Sequence, residues 1–200
     1  MLRSLTTLAA TTMLATAAFA ANVGEPAPAF KGVDVISGKE VSNATLKGKT
    51  AVLEWTNPGC PFVKKFYGAG AMQKFQAAAV KDGVVWVSIN SSAAGKEGNM
   101  KDAAAAKASI AEHKHASSHY LIDADGIIGK AYGAKTTPHM YVIDKDGKLV
   151  YQGAIDSDNS PDAAAIAGAS NYVTAALASI KAGTGIKTSS TQPYGCSVKY

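Results

Sequence analysis

Apolar residues run almost unbroken from Ala51 to Trp55 and from Val84 to Ile89, interrupted only by Glu54 and Ser88. Runs this short and this apolar predict strands covered on both faces. Between them Phe62, Phe66 and Ala69 recur at helical spacing after Pro61, Gly68 and Gly70 mark a break, and Met72 to Val80 resumes the helix. The alternation continues with a polar loop over Ser91 to Asn99, an alanine-rich helix over Met100 to His113, a strand over Tyr120 to Asp123 and a short helix over Gly126 to Tyr132. Met140 to Ile143 and Leu149 to Tyr151 flank Asp144-Lys145-Asp146-Gly147, the pattern of an antiparallel hairpin. A last helix is predicted over Asp162 to Lys181, with Ile166, Ala169, Val173, Leu177 and Ile180 on one stripe.

Ahead of these elements, Val23 to Phe30 is an extended segment broken by prolines. Val33 to Ile36 and Glu40-Val41 form a hairpin about Ser37-Gly38-Lys39. The order predicts an α/β fold: a mixed central sheet with helices on both faces, an N-terminal hairpin extension and a C-terminal tail.

Composition adds a compartment. Met1-Leu2-Arg3, the uncharged run from Leu5 to Phe19 and the small residues Ala18-Phe19-Ala20 predict a signal peptide over residues 1–20. The predicted organisation is then one domain over 21–182 and a tail over 183–200 carrying Cys196, in a periplasmic or secreted protein without a membrane span after cleavage. About 180 residues suffice for one proper core. Arg3 is the chain's one arginine, so every strong cation after the leader is a lysine. These lysines are scattered among acids and alanines, which argues for a soluble surface and against a nucleic-acid partner despite the formal charge of +5.

The candidate chemistry centres on sulfur. Cys60 sits between the Ala51–Trp55 strand and a helix opened by Pro61, and the N–H groups and dipole of a helix N-terminus favour a thiolate. The second cysteine, Cys196, lies at the far end of the Ser/Thr/Gly linker Gly183 to Gln192. In one reading the flexible tail brings Cys196 in to resolve a bond that Cys60 has made. In another the two form a permanent staple, which the chain-entropy model values at roughly 3–5 kcal/mol for so long a loop. A third makes Cys60 and His139 ligands of copper or zinc, with His113, His115 and His119 as a second cluster or a solvated surface. No phosphate-binding glycine loop follows a strand, Ser88, Ser91 and Ser92 lack recognisably spaced partners for hydrolysis, and Trp55 and Trp86 fit core positions.

Gly24-x-x-Ala27-Pro28-x-Phe30, Asn57-x-x-Cys60-Pro61-Phe62-Val63 and Gly195-Cys196-x-x-Lys199, in this order of elements, resemble the thioredoxin fold and within it a peroxiredoxin-like redoxin group. The resemblance implies an exported thiol–disulfide oxidoreductase or peroxiredoxin-like antioxidant protein. Cys60 would be the nucleophile, Cys196 the resolving cysteine and Glu54 a buried acid for proton transfer, with a strand carboxylate paired to lysine as the alternative for Glu54. Asn57, Pro61, Thr137 and Pro138 would meet the substrate, Pro138 through a cis bond. The implied partners are a protein or small-molecule disulfide or oxidised thiol and a separate reductant, with no cofactor. The departures are specific. Val63 stands where thioredoxins have a second cysteine, Leu53 and Asn57 replace the peroxiredoxin Pro and Thr/Ser, and no arginine follows the leader to stabilise a peroxide.

Overall fold

The computed structural model describes residues 21–200, so the leader expected over 1–20 lies outside the described residues. β1 (Lys31–Val33) and β2 (Glu40–Ser42) pair as a hairpin, and the single turn α1 (Asn43–Leu46) leads to β3 (Ala51–Trp55). α2 (Pro61–Gly68), α3 (Ala71–Lys81), β4 (Val85–Asn90), α4 (Ala103–Glu112), β5 (His119–Ile122) and α5 (Ile127–Tyr132) follow. β6 (Thr136–Thr137) precedes β7 (His139–Ile143), which turns back as β8 (Leu149–Gly153). A 3-10 helix (Ala163–Gly168), α6 (Tyr172–Ala182) and β9 (Cys196–Ser197) complete the order.

The main sheet runs β5-β4-β3-β7-β8, with β3, β4 and β5 parallel and β7 and β8 antiparallel. This is the mixed sheet of a thioredoxin-like fold. All five residues of β3 are buried, as a central strand requires. Leu53 and Trp55 face Ile128 and Tyr132 of α5 together with Phe30 and Leu46. Val52 faces the other way, among Phe66, Tyr67, Met72, Val173 and Ala176 of α2, α3 and α6. Both tryptophans are core residues.

Three elements depart from the sequence reading, each for a polar reason. The first hairpin strand ends at Val33 because the Asp34 carboxylate accepts from Ile36 N, Ser37 N and Ser37 Oγ and bends the chain there. The alanine-rich helix starts at Ala103, where the Asp102 side chain caps it by accepting from Ala105 N at 2.8 Å. The single helix expected over Asp162 to Lys181 is two: Ala169 is extended, Ser157 and Ser170 exchange hydrogen bonds, and Asn171 starts α6 by accepting from Thr174 N. An apolar stripe continues across such a break and does not reveal it.

Candidate active site

Asn57 builds the turn that delivers Cys60. Its Oδ1 accepts from Gly59 N at 2.8 Å, its carbonyl accepts from Cys60 N, and its Nδ2 donates to Ser92 Oγ and the Glu97 carbonyl. Both amide hydrogens are thus used internally, and Asn57 is buried, so the structure places this expected substrate contact as a brace of the turn. Cys60 is the N-cap of α2, with exposed Pro61 as the first helical residue and Lys64 N donating to the Cys60 carbonyl at 2.9 Å.

The Thr137–Pro138 peptide is cis, as the resemblance implied. The Thr137 carbonyl accepts from Cys60 Sγ at 3.0 Å. On its other side β6 pairs antiparallel with β9, Thr137 opposite Cys196, and the two sulfurs lie 2.7 Å apart as free thiols. Gly195 makes this approach: it has φ +131°, and a Cβ there would overlap the Thr137 carbonyl oxygen.

The tail expected to be mobile is laid down along its length. Gln152 N donates to the Ser189 carbonyl and Thr191 N to that of Gln152, while Val198 N donates to the Lys135 carbonyl and Ala93 N to that of Lys199. Tyr194 stands edge-on to Phe62 at 5.9 Å, and its hydroxyl donates to the Asp156 carboxylate. Beneath it lies Lys65, buried, with Nζ donating to the Asp158 carbonyl and facing the Tyr194 and Phe66 rings. Under this cover Cys60 is 1% exposed. Tyr194, Lys65 and Asp156 escaped the sequence reading; the one signal was an aromatic and a glycine immediately before Cys196.

The thiols differ in their surroundings. Burial, then the contact with Cys60, pushes the Cys196 thiol up to about 12, with Lys199 pulling weakly the other way, so Cys196 keeps its proton at neutral pH. Lys199 in turn stands 4.0 Å from Glu97, whose side chain covers Gly59.

Glu54 occupies a separate pocket of the same face. It is fully buried and accepts from Tyr67 Oη at 2.8 Å, Gln76 Nε2 at 3.0 Å, Trp86 Nε1 at 2.7 Å and Ser88 Oγ at 3.1 Å. No lysine pairs with it, and Cys60 is not among its partners. Burial pushes its carboxyl above the ordinary value, against the four hydrogen bonds that favour the ionised form. His115, read as one of a surface cluster, belongs here: its Nδ1 lies 3.0 Å from Tyr67 Oη, and burial, with His113 nearby, lowers its imidazole to about 3.

His139 does not face Cys60. β7 alternates faces, so His139 and Tyr141 lie on the Trp55 side while Met140 and Val142 lie with Cys60. Its Nδ1 accepts from Lys135 N and lies 3.1 Å from Tyr141 Oη. The Cys60–His139 ligand pair is therefore not assembled, and among the described residues no group of three or more His, Cys, Asp or Glu is placed to hold a metal ion.

A Redoxin family model matches residues 22–167. The chain belongs to the Redoxin family. The matched segment contains Glu54, Cys60, Thr137 and Pro138 and stops before Cys196, so the sulfur that covers Cys60 comes from outside it. Among solved structures, an uncharacterized conserved protein from Geobacillus kaustophilus is 27% identical, with a TM-score of 0.74 over 90% of this chain and 92% of that one. A hypothetical protein from Sinorhizobium meliloti 1021 is 24% identical, with a TM-score of 0.73 over 91% and 96%. The thioredoxin domain of a thiol-disulfide oxidoreductase from Bacteroides vulgatus is 22% identical, with a TM-score of 0.52 over 66% and 87%. The last two likenesses speak to fold. Among curated proteins none matches the chain. A redoxin with its two cysteines set sulfur to sulfur is suited to thiol redox chemistry.

Proposed function

We propose that this redoxin is a thiol–disulfide oxidoreductase in which Cys60 attacks and Cys196 resolves. The observation that carries the reading is the 2.7 Å approach of the two sulfurs over the Thr137 carbonyl, with Cys60 at the N-cap of α2. The Cys60 thiolate attacks one sulfur of a substrate disulfide, forming a mixed disulfide and releasing the other sulfur as a thiolate. Cys196 passes its proton to the substrate thiolate first released, attacks the Cys60 sulfur and expels the second substrate thiolate, which takes up the proton that Cys60 lost to water. The substrate gains two electrons, the protein is left with a Cys60–Cys196 disulfide, and an external dithiol restores it.

Since Cys60 is covered, the Tyr194–Ser197 segment lifts to admit the substrate, exposing Thr137 and Pro138. Disulfide exchange suits the site better than peroxide reduction, because no arginine follows residue 3. We place the protein outside the cytoplasm, on the leader pattern of residues 1–20. No helix among the described residues is long and apolar enough to cross a membrane.

Cys196→Ser tests the assignment. With oxidised glutathione, mass spectrometry of this variant is expected to show a persistent glutathione adduct on Cys60, whereas the wild type ends as the internal disulfide without adduct. No adduct on the variant, or an equally persistent adduct on the wild type, contradicts it.

A further inference from the structure

Cys196 occupies the place that a sulfur attacked by Cys60 must take. The two sulfurs are 2.7 Å apart over the Thr137 carbonyl, so a substrate chain whose cysteine meets Cys60 there lies where the tail now lies. The contacts of the tail divide into two kinds. Those of Ser189 and Thr191 with Gln152, and of β9 with β6, run through backbone atoms and are indifferent to the side chains that the strand carries. Those of Tyr194 and Gly195 depend on which residue stands there.

Tyr194 and Cys196 are two residues apart and both turn toward α2, packing against the cluster that contains Cys60. The tyrosine enters a recess between α2 and the turn that follows β8. Phe62 meets its ring edge-on at 5.9 Å, Lys65 Nζ faces it at 5.8 Å, and the Asp156 carboxylate accepts from its hydroxyl. Lys65 and Asp156 are buried and held in place by one segment, Nζ donating to the Asp158 carbonyl and Asp156 Oδ1 accepting from Asp158 N. An aromatic wall with a fixed acceptor at its end matches a phenol. When the tail lifts, Asp156 loses a donor and Phe62 its cover. An aromatic residue two places before an incoming cysteine restores both, and a small thiol compound restores neither. Between the two positions the backbone of Gly195 passes against the Thr137 carbonyl at φ +131°, which leaves no room for a Cβ.

We propose that the groove over Cys60 takes an extended polypeptide with the order aromatic-Gly-Cys, tyrosine best, and that the tail is its resident mimic. This rests on the exchange chemistry proposed above and adds which disulfides enter it. Phe62 and Asp156 select the aromatic, and the Thr137 carbonyl selects the glycine. The substrate strand displaces β9 to meet Cys60, and the returning tail displaces the substrate strand and brings Cys196 back to the Cys60 sulfur.

The probes are mixed disulfides of thionitrobenzoate with the capped octapeptide Thr-Gln-Pro-Tyr-Gly-Cys-Ser-Val, with versions carrying Phe or Ala for the tyrosine or Ala for the glycine, and with glutathione. They are given to reduced Cys196→Ser protein, in which Cys60 is the one cysteine. Its thiolate attacks the peptide sulfur, a Cys60–peptide disulfide forms, and coloured thionitrobenzoate leaves with the electron pair. Each rate is divided by that of the same probe with free dithiothreitol, which cancels intrinsic reactivity. The tyrosine peptide is expected to react fastest, with the phenylalanine version about threefold slower for one lost hydrogen bond and the alanine version about tenfold slower. Alanine for the glycine is expected to slow the reaction about tenfold. Phe62→Ala, at a half-buried position, is expected to quicken every probe by loosening the tail while shrinking the tyrosine-to-alanine ratio from about ten to about three. Peptides that react within about twofold of one another, or a ratio that Phe62→Ala leaves intact, overturn the proposal. If the glutathione probe still reacts in that case, exchange at Cys60 stands and the selectivity alone falls. If no probe releases thionitrobenzoate, glutathione included, the exchange reading fails and takes the selectivity with it.

Discussion

Glu54 and Cys60 lie on the same face of the sheet and are both hidden from water, yet different things hide them. Glu54 is enclosed by α2, α3 and β4, and four donors from those elements converge on its two oxygens. To expose it the protein must unfold. Cys60 meets one carbonyl and one sulfur, and its cover is the last few residues of the chain, held by short pairing and by Tyr194. Burial inside a sheet-and-helix sandwich is permanent at working conditions, whereas burial under a terminal strand of two residues opens locally. The carboxylate is thus fixed as part of the core, whereas the sulfur proposed as the nucleophile lies under a cover that can open.

The contrast breaks most severely at Glu54. Glu54→Leu removes the acceptor from Gln76, Trp86 and Ser88 at once and is expected to cost about 4 kcal/mol or more in urea unfolding, through buried donors left unpaired. A loss under about 1 kcal/mol would show that the core does not depend on this carboxylate. At the thiol, Gly195→Ala places a methyl group on the Thr137 carbonyl oxygen at a positive φ. It is expected to cost only about 1–2 kcal/mol, while accelerating alkylation of Cys60 roughly tenfold by lifting the tail. Unchanged alkylation would mean that the tail is not what protects the sulfur.

Tyr194→Phe keeps the ring on Phe62 and loses the bond to Asp156. The expected cost is about 1 kcal/mol, with Cys60 alkylation a few-fold faster and the chemistry intact. The smallest effect belongs to Glu54→Gln, which retains an acceptor for Gln76, Trp86 and Ser88 while Tyr67 Oη turns to accept, at a cost of about 1 kcal/mol or less. Its signature is in pH. Because the folded carboxyl titrates above the unfolded value of 4.5, its contribution is complete below 4.5 and is lost as pH rises through the folded value. Unfolding titrations across this window are expected to show that decline in the wild type and its absence in the glutamine variant.

The same division governs what could be read from the sequence. The sheet, both tryptophans and the position of Cys60 were legible because strand and helix periodicities are local and the cysteine follows a buried strand. Glu54 was legible as a buried acid, but its partners were not, since Tyr67, Gln76, Trp86 and Ser88 come from three separate elements. The docking of the tail was not legible either. Gly183 to Gln192 has the composition of a free linker, and its bonds to Gln152 depend on the chain returning to the β8 edge. The orientation of His139 follows from alternation along β7, which adjacency to Pro138 conceals.

The central claim is that Cys60 and Cys196 are an exchangeable pair. The direct measurement is mass spectrometry of the wild-type protein equilibrated in graded mixtures of oxidised and reduced dithiothreitol, then quenched with acid and an alkylating reagent. The account predicts a smooth, reversible passage from the internal disulfide to two alkylated cysteines. A bridge that persists in excess reduced dithiol while the protein stays folded, or one that never forms, contradicts it.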